Sequence, residues 1–450
     1  VWSLTSIACI TLLVPITIWL LPYFVERTSL HCTAGSCHSN PSFPTAESWP
    51  VSVEPVEHFE LPNGISQYEF CARQVEPDPR TPPQSLPTTP MFHLKKKSIV
   101  NRHLLCHFDT QYWRSQAPYL PSLFPAPFCS SLVLSGFSIN PHDLDIVWRP
   151  ASGRRYLDSF REARRAKLLM HNNVDIDFYV TIGGRREDSR NLSMVSFTQI
   201  RLSTFLRNIE AKINKTTEGL HIDWNYPGDA CSDPHAALTF SSMLRTLHQA
   251  NISLVISVPP DESRFRFYDL SNTVNMARFV IVKTHTLVMP GIVACNGDRV
   301  SATRLFNKII EPINVTLRHK FGYSMSVGPD TFTTTSAQLW VRSSGPSSWD
   351  NYTLQPGKAH LASVCKQSPR FYPFYPECFF SSQIVTNDEF LIATLLTRYA
   401  VRIRIKKSYD DGAAIAPVMV YDIDLDDFNG NCSDGLHFSP IISQLATSSF

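Results

Sequence analysis

One recurrence restricts the fold of this chain more than any other feature. Between residues 98 and 423, short apolar runs rich in β-branched and aromatic residues alternate with longer amphipathic stretches. Strand-like runs fall at 98–108, 131–139, 175–182, 219–224, 253–258, 278–284, 321–327 and 417–423. Helical periodicity fills several of the intervals, at 157–170, 197–213 and 235–250. Strands that alternate with helices predict a parallel sheet, and eight of them predict a closed (β/α)8 barrel. Periodicity alone also admits an open doubly wound sheet. Residues 331–388 break the rhythm and read as an insertion before the last strand.

Upstream of the recurrence the composition changes twice. Residues 1–25 carry no charged side chain, and 7–24 are nearly all apolar. A span of about 20 apolar residues can cross a bilayer as a helix, and membrane helices tolerate a proline such as Pro15. The segment therefore predicts a single-pass signal-anchor in the type II sense, with the large part outside the cytosol. A cleaved signal peptide, and hence a secreted protein, is the alternative. Residues 26–98 read as a Pro-rich stem, densest at Glu76-Pro77-Asp78-Pro79-Arg80-Thr81-Pro82-Pro83, which favours extended, solvated backbone. The barrel domain then spans 99–450. Its formal charge contributes to a chain total of only +2, so bulk electrostatics gives no reason to expect nucleic acid as a partner. Eleven cysteines and six Asn-x-Ser/Thr sequons, at Asn191, Asn214, Asn251, Asn314, Asn351 and Asn431, point to an oxidising, glycosylating compartment.

The stretch Thr217-Glu218-Gly219-Leu220-His221-Ile222-Asp223-Trp224-Asn225-Tyr226-Pro227-Gly228 stands out within this framework. Along a strand, residues spaced by two share a face, so His221, Asp223 and Asn225 point to one side. Three polar groups on one side of a short buried strand, beside Trp224 and Tyr226, read as a site rather than a solvated edge.

This stretch resembles the signature of family 18 glycoside hydrolases, the chitinases, which reads Asp-Gly-x-Asp-x-Asp-x-Glu-Tyr-Pro. Its four acidic positions are here Glu218, His221, Asp223 and Asn225. The resemblance extends over roughly 98–445. Leu105-Cys106-His107-Phe108 with Trp113-Arg114 is similar to the first strand, Thr181-Ile182-Gly183-Gly184 to the third-strand Gly-Gly motif, and Tyr421-Asp422-Ile423-Asp424-Leu425-Asp426-Asp427-Phe428 to the eighth-strand segment. It implies a TIM barrel and two disulfides, Cys106–Cys129 and Cys365–Cys432. The partners of Cys32, Cys37, Cys71, Cys231, Cys295 and Cys378 are left open, with a Cys231–Cys295 bridge conceivable across the barrel mouth.

The family uses substrate assistance: the substrate's N-acetyl oxygen attacks the anomeric carbon while one Glu protonates the leaving oxygen. Asn225 falls at that Glu, and an amide has no proton to give near neutral pH. Asp223 remains able to accept from an acetamido N–H. His221 is expected to pair with Asp223 as a satisfied buried group, with a titrating switch as the sharper alternative. The sixth-strand Met-Thr-Tyr-Asp of the family becomes Lys283, Thr284, His285 and Thr286; Arg185 follows Gly-Gly where an aromatic is common; Tyr421 replaces the Trp that floors the central sugar subsite. The resemblance thus implies a catalytically inactive chitinase-like protein, with Asp223, Asn225, Tyr226 and Tyr421 as the ligand-binding set for chitin or N-acetylglucosamine oligomers. Two alternatives stand beside it. One is a weakly active glycosidase using Asp223 or Glu218 as its acid, and the other is a structural or signalling module that binds a protein partner. The basic run Arg149, Arg154, Arg155, Arg161, Arg164, Arg165 and Lys167 reads as a solvated helix face, with an acidic glycan or a membrane headgroup as the minority ligand. No metal-spaced cluster or phosphate loop is present, so no metal or cofactor is expected.

Overall fold

The computed structural model describes residues 103–427, except 111–118, 126–128, 150–151, 167–169, 172–173, 196, 214–217, 226–235, 266, 287–290, 295–298, 350–352, 354, 368–371, 375–377, 387 and 397–415. The expected membrane segment and stem lie outside the described residues, as do Tyr226, Cys231, Cys295 and Cys432. Among the described residues, no helix is long and apolar enough to cross a membrane.

Eight parallel strands form the centre: β1 Leu104–Asp109, β2 Ser131–Ile139, β3 Asp177–Gly183, β4 Glu218–Asp223, β5 Leu254–Val258, β6 Phe279–Val282, β7 Phe321–Ser326 and β8 Val418–Tyr421. Neighbours in sequence are neighbours in the sheet, and β1 pairs with both β2 and β8, which closes the barrel. The closed form settles against the open sheet that periodicity left standing. Every expected strand is present. Helices pack outside, among them α1 Ser152–Arg165, α2 Arg186–Val195, α3 Gln199–Lys212 and α4 Ala236–Gln249. The first helix starts earlier than the expected 157–170. The apolar stripe of Tyr156, Leu157, Phe160 and Ala163 is buried, but a polar first turn precedes it, and a reading of apolar spacing alone misses such a turn.

The strand alternation separates two cores. Outward residues such as Phe108, Leu134, Ile182, Leu220, Ile222 and Ile256 pack under the helices. Inward residues Leu105, Val133, Tyr179, Val255, Phe279, Ile281 and Met419 fill the barrel. Fully burying one such side chain stabilises by about 1.5–3 kcal/mol. Gly219 is the position that admits Tyr179 to this interior, since a Cβ there would lie 2.4 Å from the tyrosine ring.

The insertion is an antiparallel five-stranded sheet in the order 343–346, 330–334, 389–396, 378–386, 372–374. It runs past the expected limit of residue 388 because Glu389–Leu396 pairs with Cys378–Thr386 as a hairpin. The sequence of Glu389–Leu396, apolar after its first residue except at Thr394, carries no local mark of which sheet it joins. A half-buried lysine fastens the insertion to the barrel: Lys358 Nζ lies 2.7 Å from Asp330 Oδ1, 2.8 Å from Asp422 Oδ2 and 2.9 Å from Ser326 Oγ. That lysine holds the Asp422 carboxyl far below the usual carboxylate range against the opposing effect of burial. The bond Cys106–Cys129 is formed as the resemblance implied. Cys365 is disulfide-bonded too, and its expected partner Cys432 is outside the described residues.

Candidate functional site at the C-terminal end of the barrel

The C-terminal ends of β3, β4, β6 and β8 bring together Gly184, Asp223, Asn225, Lys283 and Tyr421. This is the end at which barrel enzymes place their chemistry. Close approach of β3 and β4 requires glycine at 183: its φ is +109°, and a Cβ would meet Asp223 O at 2.2 Å. Gly184 N–H then donates to Asp223 O at 2.7 Å.

Lys283 is the organising group. Its Nζ donates to Asp223 Oδ1 at 3.2 Å and Oδ2 at 2.9 Å, and to Asn225 Oδ1 at 3.0 Å. Both members of the ion pair are buried, with side-chain exposures of 10% and 6%. Asn225 spends its other polar atoms on the protein: Nδ2 donates to Gly184 O at 3.0 Å, and the backbone carbonyl accepts from Arg264 Nη1 at 3.0 Å. The amide therefore acts as donor on one side and acceptor on the other, a combination open to a carboxyl group only when protonated. The resemblance places Lys283 at the Met of the sixth-strand motif and puts the lost sugar contacts at His285 and Thr286, so it assigns Lys283 no role in the site. Phe279, Ile281 and Lys283 alternate on the inward face of β6 and its C-terminal extension, and a charge at a barrel-facing position demands a partner. That was the available signal.

His221 does not pair with Asp223. Residues i and i+2 of one strand are about 6.5–7 Å apart, so partners come from neighbouring strands. His221 Nδ1 lies 2.9 Å from Thr181 Oγ1 on β3, and Nε2 lies 2.8 Å from Ser257 Oγ on β5. Burial lowers its pKa to about 3, which keeps the ring neutral across physiological pH and leaves the alternative of a titrating switch outside that range. Ser257 Oγ in turn meets Tyr421 OH at 3.2 Å.

Tyr421 is 5% exposed. The His107 ring lies 4.3 Å from its ring centroid, the His285 ring is stacked at 4.1 Å, and Lys283 Nζ sits 5.5 Å away. His285 is fixed by Ser324 Oγ, 2.6 Å from Nδ1. Desolvation lowers the pKa of both imidazoles. Intramolecular rings and the lysine thus occupy the surroundings of Tyr421 that a stacked sugar would need. Glu218 faces away from this end. It is held on the outside of the barrel by Arg161, with Nε–Oε1 and Nη2–Oε2 both at 2.6 Å. Strand parity predicts this, since position 218 is out of phase with 221, 223 and 225. Arg149 pairs with Asp188, and Arg154 lies 3.8 Å from Asp158, so part of the basic run is spent on ion pairs within the fold.

Residues 104–308 match the family model of glycosyl hydrolases family 18. The fold is that of solved chitinases and chitinase-like proteins. Catalytic domain 2 of the Group II chitinase of Ostrinia furnacalis superimposes with a TM-score of 0.64 at 13% identity, covering 77% of this chain and 96% of that one. An immunomodulatory active chitinase from Trichuris suis gives 0.63 at 13%, covering 76% and 98%. Human YKL-39, described as a pseudo-chitinase with retained chitooligosaccharide binding, gives 0.61 at 15%, covering 77% and 98%. Among curated proteins, none matches by sequence. The signature stretch, the closed barrel and the match over residues 104–308 together make this chain similar to the chitinases and chitinase-like proteins of glycosyl hydrolase family 18.

Proposed function

We propose that this protein is a non-hydrolytic, chitinase-like glycan-binding protein, presented on the extracellular or luminal side either tethered or secreted. The observation that carries the reading is the Lys283 ammonium, which bridges Asp223 and Asn225. Asn225 supplies no proton at the position of the family's acid. Asp223, the one signature carboxylate left in the cleft, is neutralised by an internal cation and has little capacity to orient an acetamido group. General acid catalysis is worth about 10²–10⁴ in rate, so its loss alone leaves little turnover. Chitooligosaccharide binding by the pseudo-chitinase neighbour supports a retained glycan role. Because Tyr421 is already packed, such glycans engage the outer part of the cleft. The packed Tyr421 also favours a second reading, in which the outer surface binds a protein partner and the cleft binds nothing.

The test pairs calorimetry with hydrolysis. The parent chain binds N-acetylglucosamine oligomers and releases no chromophore from a chromogenic chitobioside. Asn225→Glu alone stays inactive, because Lys283 keeps the new carboxyl ionised and unable to donate. Hydrolysis appears only when Lys283→Met is added. Turnover by the parent would refute the reading, and no oligomer binding by a folded parent would select the protein-partner alternative.

A further inference from the structure

The sequons are not equivalent in the folded protein. Asn314, Val315 and Thr316 are all exposed, and Val315 is 72% exposed, an unusual setting for an aliphatic side chain. Asn314 Oδ1 accepts from Thr316 N at 3.1 Å and from Thr316 Oγ1 at 3.0 Å. These bonds hold the amide by its oxygen and leave the nitrogen side toward solvent. Asn251 is exposed on the turn after α4, with a φ of 60°, a left-handed conformation that asparagine tolerates. Asn191 differs. It lies within α2, half-buried, the two residues that follow it, Leu192 and Ser193, are buried, and its Nδ2 donates to Ile139 O at 2.8 Å.

We propose that Asn251 and Asn314 carry N-linked glycans and that Asn191 does not. In the transfer, the Asn Nδ2–C1 bond forms to the anomeric carbon of an oligosaccharide held on a lipid pyrophosphate. The C1–oxygen bond to pyrophosphate breaks, the amide gives up one proton, and the lipid pyrophosphate leaves. Transfer precedes folding, so the folded structure selects the sites at which a glycan is accommodated. At Asn191 a glycan would have to leave through the packing of α2 against β2, because Nδ2 points at the Ile139 carbonyl. At Asn314 it would cover Val315. The inference rests on passage through an oxidising, glycosylating lumen, which the Cys106–Cys129 bond supports independently of the sequons.

The placement has a consequence for the mouth of the barrel. Asn251 precedes β5 and Asn314 lies in the segment that leads into β7, so both open on the N-terminal end. The Asp223–Lys283 site lies at the opposite end. Glycans at these two positions shield the closed end and leave the mouth as the presented face.

The experiment expresses the full chain in secreting animal cells and releases N-glycans enzymatically in heavy-oxygen water, which marks each formerly glycosylated Asn as a labelled Asp. Peptide mapping is expected to show label at Asn251 and Asn314 and none at Asn191. Thr316→Ala and Asn251→Gln each remove one glycan step on a gel while the protein still reaches the cell surface or the medium. Label at Asn191, or exported protein unlabelled at Asn251 and Asn314, overturns the proposal. So does a chain that acquires no N-glycan at all.

Discussion

Replacing Lys283 by Met tests whether the ion pair, rather than the amide substitution alone, defines this cleft. The change removes the ammonium from between Asp223 and Asn225 and leaves a carboxylate whose side chain is 6% exposed. Removing one partner of a buried pair costs about 3–5 kcal/mol, because the remaining charge is uncompensated. For a barrel domain of this length the unfolding entropy is roughly 0.7 kcal/mol/K, from about 2.1 cal/mol/K per residue. The thermal midpoint should therefore fall by about 4–7 °C at pH 7. Adding Asp223→Asn to Lys283→Met removes the orphaned charge, so the double variant should be more stable than Lys283→Met alone. Thermal melts followed by circular dichroism at pH 7 measure both effects. A shift below 2 °C, or a double variant no more stable than Lys283→Met alone, would refute the reasoning.

Two further outcomes follow from the same geometry. Arg161→Ala should cost about 2–3 kcal/mol, since buried Glu218 loses both charged hydrogen bonds. Chemical denaturation measures that loss, and parent-like oligosaccharide binding in the same variant would confirm that Glu218 lies outside the cleft. The depressed His221 pKa predicts acid sensitivity: the unfolded ring takes a proton below about pH 6.5, and the folded ring does so only near 3. Stability is complete above the unfolded pKa and falls as pH drops, by about 2 kcal/mol at pH 5 for one such group. His221→Asn should flatten that slope in melts between pH 7 and pH 5, and an unchanged slope would assign the acid sensitivity elsewhere.

Much of the architecture was legible because strand and helix periods are local properties. Runs such as 131–139 and 253–258 carry their burial pattern within a few residues, and their alternation with helices leaves few topologies open. The amide at Asn225 and the Cys106–Cys129 pairing were legible through the signature stretch and the first-strand segment. Glu218 could have been placed on the outer face from parity alone. The insertion boundary could not, because the apolar run 389–396 looks the same in either sheet until its hairpin partner is known.

Eight strand-like runs alternating with helical stretches, and an amide at position 225 of the signature stretch, can be read along the chain without its fold. Closure of the barrel, and the contacts at its C-terminal end, come from pairings distant in sequence. Lys283 reaches Asp223 across 60 residues of chain, and Tyr421 gathers His107 from β1 and His285 from the turn after β6. Such contacts depend on barrel closure, which fixes how far each strand is staggered against the others. No local pattern encodes that stagger, so the partner of a buried charge becomes visible only when all eight strands are in place.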